Sequence, residues 1–513
     1  MKAVYFSFCF VGLCHSLLSN DTDETVPKDL KLIFVHTIWR HGNRSPKRHL
    51  NNDPVNPSKW IKGGGGYGQL TPEGMEQHFI LGKKLWDRYM RTGFLHNFYD
   101  SKQIYIRSTD VNRTINSATS NMLGMFSQSS PRKGTDYPDI DGWPVGFMPI
   151  PIHISGPSKS DCVANAFCSC MRRYLLLEIA HQGEQYQKFL NSENYKTTTA
   201  AISKLFNEKP NKMDRVHDSI LVENLKLIHF PEIIRNQTWY STDFYDNLKK
   251  VVRLSQGFKS GLYDPPIVNG INVKREILKT RGGALLNEIS ERMRTKASCD
   301  NKCEVRKLKY YAYSTHDNTV FALLVILGLE NIVAGKDKQG EWPDYAADII
   351  VELFKRKVDG KLYFRMLYQR NIKEEFEMVT PKIKGCEGAA FCELEIFENF
   401  AKEFRPDKPM KEFCQIPPEL SNTVPTEIQN LAADAPESDD IVYHTPSLST
   451  SSHFVNLTPM IPQCHASPFC HLSVFENVYN ELKTDTPVSQ YSEFTSDLVL
   501  FPSSFYFAFA VLK

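Results

Sequence analysis

The apolar runs of this 513-residue chain are shorter than the about 20 residues that a membrane-spanning helix usually takes. Neither sign of charge is in excess. The formal net charge is +2, so no nucleic-acid partner and no broad polyanion surface is expected. The run Gly63–Gly66 is not followed by Gly-Lys-Ser/Thr, which excludes a phosphate-cradling P-loop and leaves a plain loop. His-Glu-x-x-His and paired Cys-x-x-Cys are both missing, so no metal centre and no cofactor is expected.

What is present describes an ordinary globular protein, with 41% apolar and 23% charged residues. By length the chain holds roughly two to four domains, or one large α/β domain with an insertion. Met1 to Ser19 carries one lysine, the apolar run Ala3–Leu13, then small and polar residues, the layout of a secretory signal peptide over 1–19. Cys9 and Cys14 leave with it, and ten of the twelve cysteines remain. That number points to disulfides and an oxidising compartment, secreted or lysosomal. Sequons at Asn20, Asn112, Asn236 and Asn456 fit a glycoprotein of that pathway, whereas the one at Asn43 is followed by Pro46 and is not expected to be used. Near the other end, Leu498–Leu512 is apolar but short and broken by Pro502-Ser503-Ser504. It is compatible with a lipid-anchor signal or a span, yet its length argues against membrane anchoring.

Leu32 to Trp39 is apolar and rich in β-branched and aromatic residues, which predicts a buried strand. It runs into Arg40-His41-Gly42-Asn43-Arg44-Ser45-Pro46. In α/β sheets, ligands bind beyond the carboxyl ends of strands. A glycine permits a tight turn there and a proline stiffens its exit. Two guanidiniums, whose forks match phosphate oxygens in pairs, thus arrive together with an imidazole. Nearby positive charge holds that ring toward its neutral, nucleophilic form.

Two later stretches repeat the layout. Gln103–Ser108 predicts a strand and the residues after it a helix, with Ser108, Thr109 and Asp110 available as caps. Arg113 in that first turn opposes the helix dipole, a placement that makes sense where an anion sits at the helix start. Lys309–Thr315 predicts another strand, His316-Asp317-Asn318-Thr319 a polar turn, and Val320–Leu329 an apolar helix. Taken alone, Asp317 reads equally well as a helix cap. Earlier in the chain, Thr71-Pro72-Glu73 opens a helix that keeps its apolar stripe to about Met90.

The segment Arg40 to Pro46 resembles the signature of the histidine acid phosphatases, a branch of the histidine phosphatase superfamily. Gly68-x-Leu70-Thr71-x-x-Gly74, the stretch Ser108 to Ala118 and the stretch Tyr313 to Thr319 are similar to the same family's later patterns. The likeness covers about residues 30–414. It implies phosphate monoester hydrolysis, with His41 attacking phosphorus to give a phosphohistidine and Asp317 protonating the leaving group. Arg40, Arg44, Arg113 and His316 would hold the phosphoryl oxygens. A carboxyl that must begin protonated favours acid pH, its unperturbed pKa being about 4. The alternatives are a phytase-like or inositol polyphosphate phosphatase, with a wider and more basic pocket, and a secreted binding protein on the same fold that lost turnover. A homodimer is compatible with any of these.

The expected fold is α/β, a mixed central sheet flanked by helices with a smaller, mostly helical inserted domain. Residues 28–142 and 288–414 would form the core and about 143–287 the insertion, where helical stretches such as Cys170–Ile179, Glu184–Leu190 and Asp246–Leu254 predominate. Asp344–Phe354 and Leu362–Tyr368 read as a closing hairpin turned at Asp359-Gly360. By the resemblance, Cys386–Cys392 would be a short local disulfide and Cys162–Cys414 a long one. Phe376–Phe400 and Phe454–Val478 match at constant offset, so 454–497 is a partial repeat of the domain's last segment. One domain needs one such segment. The proline-, serine- and acid-rich stretch 415–453 between them has linker composition, and 498–513 is the apolar tail.

Overall fold

The structure, a computed structural model, describes residues 26–416 apart from 62–64, 225–234, 264, 269, 300–302 and 335–341. The expected signal peptide, most of the linker, the repeat and the tail lie outside the described residues.

A seven-stranded sheet organises the rest, in the order β2-β5-β1-β6-β7-β8 with β9 also on β7. The strands are β1 (Leu30–Arg40), β2 (Ile104–Ser108), β5 (Tyr310–Thr315), β6 (Asp348–Arg356), β7 (Leu362–Gln369), β8 (Glu377–Met378) and β9 (Cys392–Glu393), while β3 (Ile267–Val268) and β4 (Ile271–Asn272) make a separate small hairpin. β2, β5 and β1 run parallel, and β6 to β9 are antiparallel to their neighbours. The sheet is therefore mixed. Helices flank it in chain order as α1 (Pro72–Leu85), α2 (Asn112–Phe126), α3 (Met171–His181), α4 (Glu184–Asn191), α5 (Glu193–Phe206), α6 (Met213–Asn224), α7 (Thr242–Lys259), α8 (Val273–Leu278), α9 (Ala284–Ala297), α10 (Asp317–Ile326), α11 (Glu330–Ala334), α12 (Leu394–Phe404) and α13 (Met410–Phe413).

Alternation along β1 decides what each face meets. Val35 and Trp39 face a core shared with Leu81, Leu85, Met122 and Met125 of α1 and α2. Phe34 and Ile38 face a second core with Leu285, Leu286 and Ile289 of α9, Leu323 and Leu324 of α10 and Phe397 of α12. With both faces covered, β1 reads as a near-continuous apolar run. Each such fully buried side chain contributes roughly 1.5–3 kcal/mol. A third core lies among α4 to α7 (Phe189, Ile202, Phe206, Val216, Leu248), joined by Leu50, Val55 and Trp60 from the chain after β1.

Local expectations fail in informative places. Thr71 does cap α1, accepting from the Gly74 N–H with Pro72 in the first turn, but the last turn, Trp86–Met90, is π-helical. The cap residue of α2 is Val111, with no side-chain cap, because Thr109 Oγ1 turns instead to Thr114 and His316. α10 begins at Asp317, with His316 as its cap residue. Asp344 to Ala347 is a turn, not strand, with Ala346 left-handed at φ 56°.

Among the described residues four disulfides are present: Cys162–Cys168, Cys170–Cys414, Cys299–Cys303 and Cys386–Cys392. The expected Cys162–Cys414 bridge is not formed. Cys170 caps α3, where the Arg172 N–H donates to the Cys414 carbonyl at 3.0 Å, and this sets Cys170 opposite Cys414 with Cα atoms 4.6 Å apart. Cys162 lies in a tight turn that returns at Cys168, bringing those Cα atoms to 5.0 Å. All four sulfurs share one buried cluster, so spacing alone could not choose the pairing.

Candidate active site

The three parallel strands end level with one another. Arg40 pairs in register with Thr315, and Ser108 with Ser314, so His41, Thr109 and His316 emerge side by side. The His41 N–H donates to the Thr315 carbonyl at 3.0 Å, and the His41 carbonyl accepts from the Ala346 N–H at 3.2 Å. The left-handed turn at Ala346 thus braces the loop from behind. Gly42 is required by contact: a Cβ there would stand 2.3 Å from the Gly74 carbonyl oxygen. That close approach lets α1 brace the loop from the other side, and His78 Nε2 donates to the Arg40 carbonyl at 3.0 Å.

His41 is 3% exposed. Its Nδ1 lies 2.8 Å from the Gly42 carbonyl. A carbonyl can only accept, so Nδ1 carries the proton and Nε2 keeps its lone pair. Burial first, then the charges of Arg113, Arg40, Arg44 and His316, push the His41 pKa well below the ordinary imidazole value. The ring is therefore held toward its neutral, nucleophilic form.

Around it stand the other five residues singled out by sequence. The Arg40 guanidinium lies over the Tyr345 ring at 4.1 Å, donates to the Pro343 carbonyl at 2.9 Å and approaches Asp317 Oδ2 at 3.3 Å. Arg113 is 2% exposed, at the second position of α2, and its charge is the largest electrostatic influence on His41. His316 stands 5.6 Å from His41 between ring centroids, with Nε2 3.1 Å from Thr109 Oγ1. Asp317 Oδ1 accepts from both the N–H and the side-chain amide of Asn318, at 2.8 and 2.9 Å. Arg44 forks onto Asp218 of α6, with contacts of 2.6 and 3.0 Å. Arg40, Arg44, Arg113 and His316 thus lie close around His41, with Asp317 beside Arg40.

Asp317 carries a twist. Burial pushes its pKa up, but Arg40, Lys47, His316 and Arg44 outweigh burial and hold the carboxyl below its usual range. Sequence reasoning took that pKa as ordinary. It also passed over Asp218, Asn318 and Tyr345 as site residues. No local pattern marks Asp218, which meets Arg44 across 174 positions of chain.

A site of this kind, arginines and a neutral histidine at the carboxyl ends of parallel strands, defines a phosphoryl-transfer enzyme. The chain belongs to the histidine phosphatase superfamily, branch 2, whose family model matches residues 31–369. It is a phosphatase of that family's acid phosphatase type. A putative acid phosphatase of Caenorhabditis elegans, F26C11.1, is 34% identical over 416 residues, 75% of this chain and 89% of the relative. Human prostatic acid phosphatase is 32% identical over 379 residues, 73% of this chain and 85% of the relative. Among solved structures, the phytase of Hafnia alvei with myo-inositol hexakis sulphate superposes with a TM-score of 0.52 at 14% identity, covering 76% of this chain and all of that one. That likeness speaks to the fold.

Proposed function

We propose that this chain hydrolyses phosphate monoesters at acid pH through His41 and Asp317, in the secretory pathway. His41 Nε2 attacks phosphorus, forming a P–N bond as the P–O bond to the alcohol breaks, and Asp317 gives the departing alkoxide its proton. Asp317, now a carboxylate, takes a proton from water as that water attacks phosphorus; the P–N bond breaks and inorganic phosphate leaves. Arg40, Arg44, Arg113 and His316 hold the three phosphoryl oxygens and match their charge in a loose transition state. An incoming phosphate anion offsets the cations that depress the Asp317 pKa, so the acid regains its proton in the complex. The observation that carries this reading is the His41 ring, its Nδ1 proton on the Gly42 carbonyl, amid three guanidiniums and His316.

The test is an assay in chelator-treated buffer at acid pH across phosphate esters, with rapid-quench trapping of radiolabelled phosphate on the protein. Wild type is expected to turn over and to trap label, and His41→Ala to do neither. Label persisting in His41→Ala would show another nucleophile. The four disulfides support an oxidising compartment, and the Asn112 and Asn236 side chains are exposed where sequons require it, whereas Asn43 is buried against Thr71. The catalytic domain is taken as 28–414, with the helical insertion at about 143–287. Limited proteolysis between Ile416 and Ser452 that leaves activity intact supports that limit, and loss of activity with the tail contradicts it.

A further inference from the structure

Behind the site lies a buried cation that no step above uses. Arg281 is 1% exposed and sits in Lys279–Gly283, a turn of π geometry joining α8 to α9. Such turns recur at functional sites. This one is held tightly against its surroundings, since a Cβ on Gly283 would fall 2.0 Å from the Phe404 carbonyl oxygen. Among the described residues no carboxylate lies within ion-pair distance of Arg281. Its guanidinium donates to the Lys259 carbonyl at 2.6 Å and to Asn318 Oδ1 at 3.1 Å, and lies 4.7 Å from the Phe167 ring. A second buried guanidinium, Arg173, lies 5.8 Å from the same ring. Burying two like charges around one aromatic ring is unfavourable unless something else compensates.

The compensation runs toward Asp317. A guanidinium can only donate, so its contact fixes the Asn318 amide with oxygen toward Arg281 and NH2 toward Asp317. That NH2 and the Asn318 N–H both donate to Asp317 Oδ1. Oδ2 is left facing Arg40 and the phosphoryl pocket. We propose that Arg281 and Asn318 are positioning residues for Asp317: together they reserve Oδ1 as an acceptor, so that the catalytic proton resides on Oδ2, and they resist protonation of the carboxylate. This rests on the acid role of Asp317 given above. The charges facing Asp317 are Arg40 from β1, Arg44 and Lys47 from the loop after it, His316 beside it and Arg281 from the π turn. Arg281 acts from the side away from substrate, so its influence persists when phosphate offsets the others.

Two substitutions separate positioning from mere packing. Asn318→Asp can pair with Arg281 as an ion pair, so a packing role predicts an unchanged or raised Tm and full activity. Positioning predicts otherwise, because an aspartate offers Asp317 no amide donor and adds a like charge. Expected are kcat on an alkyl phosphate down about tenfold, kcat on nitrophenyl phosphate changed far less, and the alkaline limb of the alkyl profile displaced upward by about one pH unit. Arg281→Gln keeps a donor for Asn318 without the charge, so it should retain kcat near pH 5 while moving the limb in the same direction. Unmoved limbs in both folded variants, with alkyl and nitrophenyl esters affected alike, overturn the proposal. Asp317→Ala serves as the reference: if it shows no preference for the better leaving group, the acid role itself is wrong, whereas a preference there with none in Asn318→Asp and Arg281→Gln removes only the positioning role.

Discussion

Arg44 and Asp218 meet as a two-pronged pair, Nη2 to Oδ1 at 2.6 Å and Nη1 to Oδ2 at 3.0 Å, so α6 holds the Arg44 guanidinium beside His41. A fork of this kind fixes the plane and direction of the arginine as well as its position. Asp218 also accepts from the Lys47 N–H at 3.1 Å. Burial raises the Asp218 pKa, but the Arg44 charge and hydrogen bonds dominate and bring it down to about 2.

The pair should therefore survive the acid conditions in which the enzyme works. With a folded pKa below the unfolded one, Asp218 adds stability that is complete above the ordinary carboxylate pKa and is lost as pH falls toward about 2. Asp218→Asn should lower Tm at pH 5, with the difference from wild type shrinking toward pH 2, and should lower kcat about tenfold by loosening Arg44. A variant with unchanged kcat would mean that Arg44 needs no anchor from α6.

The leaving-group test isolates Asp317. Asp317→Asn keeps the shape and the Asn318 contacts but has no proton to give, so alkyl phosphates should lose about 100-fold or more in kcat. Nitrophenyl phosphate, whose leaving group is stable as an anion, should lose much less in the first step. Equal losses across a series of leaving groups would remove the acid role and leave Asp317 as a partner of Arg40.

These residues differ in how far sequence alone could find them. Arg40, His41, Arg44, Arg113, His316 and Asp317 each end or follow a strand, where a short apolar run and a polar turn are adjacent in the chain. The parallel pairing of β1, β5 and β2 then brings those three turns together. Asp218 and Arg281 lie in helical segments with no strand and polar turn before them, and tertiary packing gives them their partners across the chain. The cysteines fail for a related reason: Cys162, Cys168, Cys170 and Cys414 are mutual neighbours, and local turns decide which pairs form. At Asp344 to Ala347 strand propensity lost to tertiary structure, since the backbone must bend there to brace His41.

The corrected pairing makes a quantitative claim. Cys170–Cys414 spans 244 positions and Cys162–Cys168 only 6. If constraint of the unfolded chain dominates, removing the long bridge should cost about 3 kcal/mol more than removing the short one, from the logarithm of the two loop lengths. Denaturant unfolding of Cys170→Ala/Cys414→Ala against Cys162→Ala/Cys168→Ala measures this difference. Peptide mapping without reduction checks the pairing itself, and a Cys162–Cys414 peptide in the intact protein would contradict the structure.

Asp348 tests how the site's underside responds to pH. It opens β6 opposite Trp39 and is fully buried, and neither carboxyl oxygen has a hydrogen-bond partner of normal geometry. Burial pushes its pKa well above the carboxylate range, against a smaller pull from the Ile38 and Ile349 N–H groups. The folded state thus binds this proton more tightly than the unfolded chain does. Linkage then gives stability that is fully present below the ordinary carboxylate pKa of about 4 and declines as pH rises toward the elevated folded value. Asp348→Asn cannot ionise and should flatten that decline, raising Tm relative to wild type at pH 7 while changing it little at pH 4. Thermal melts across this range decide the matter. Parallel curves for the two proteins would mean that Asp348 is already paired, through contacts such as an internal water, and stays charged inside the fold.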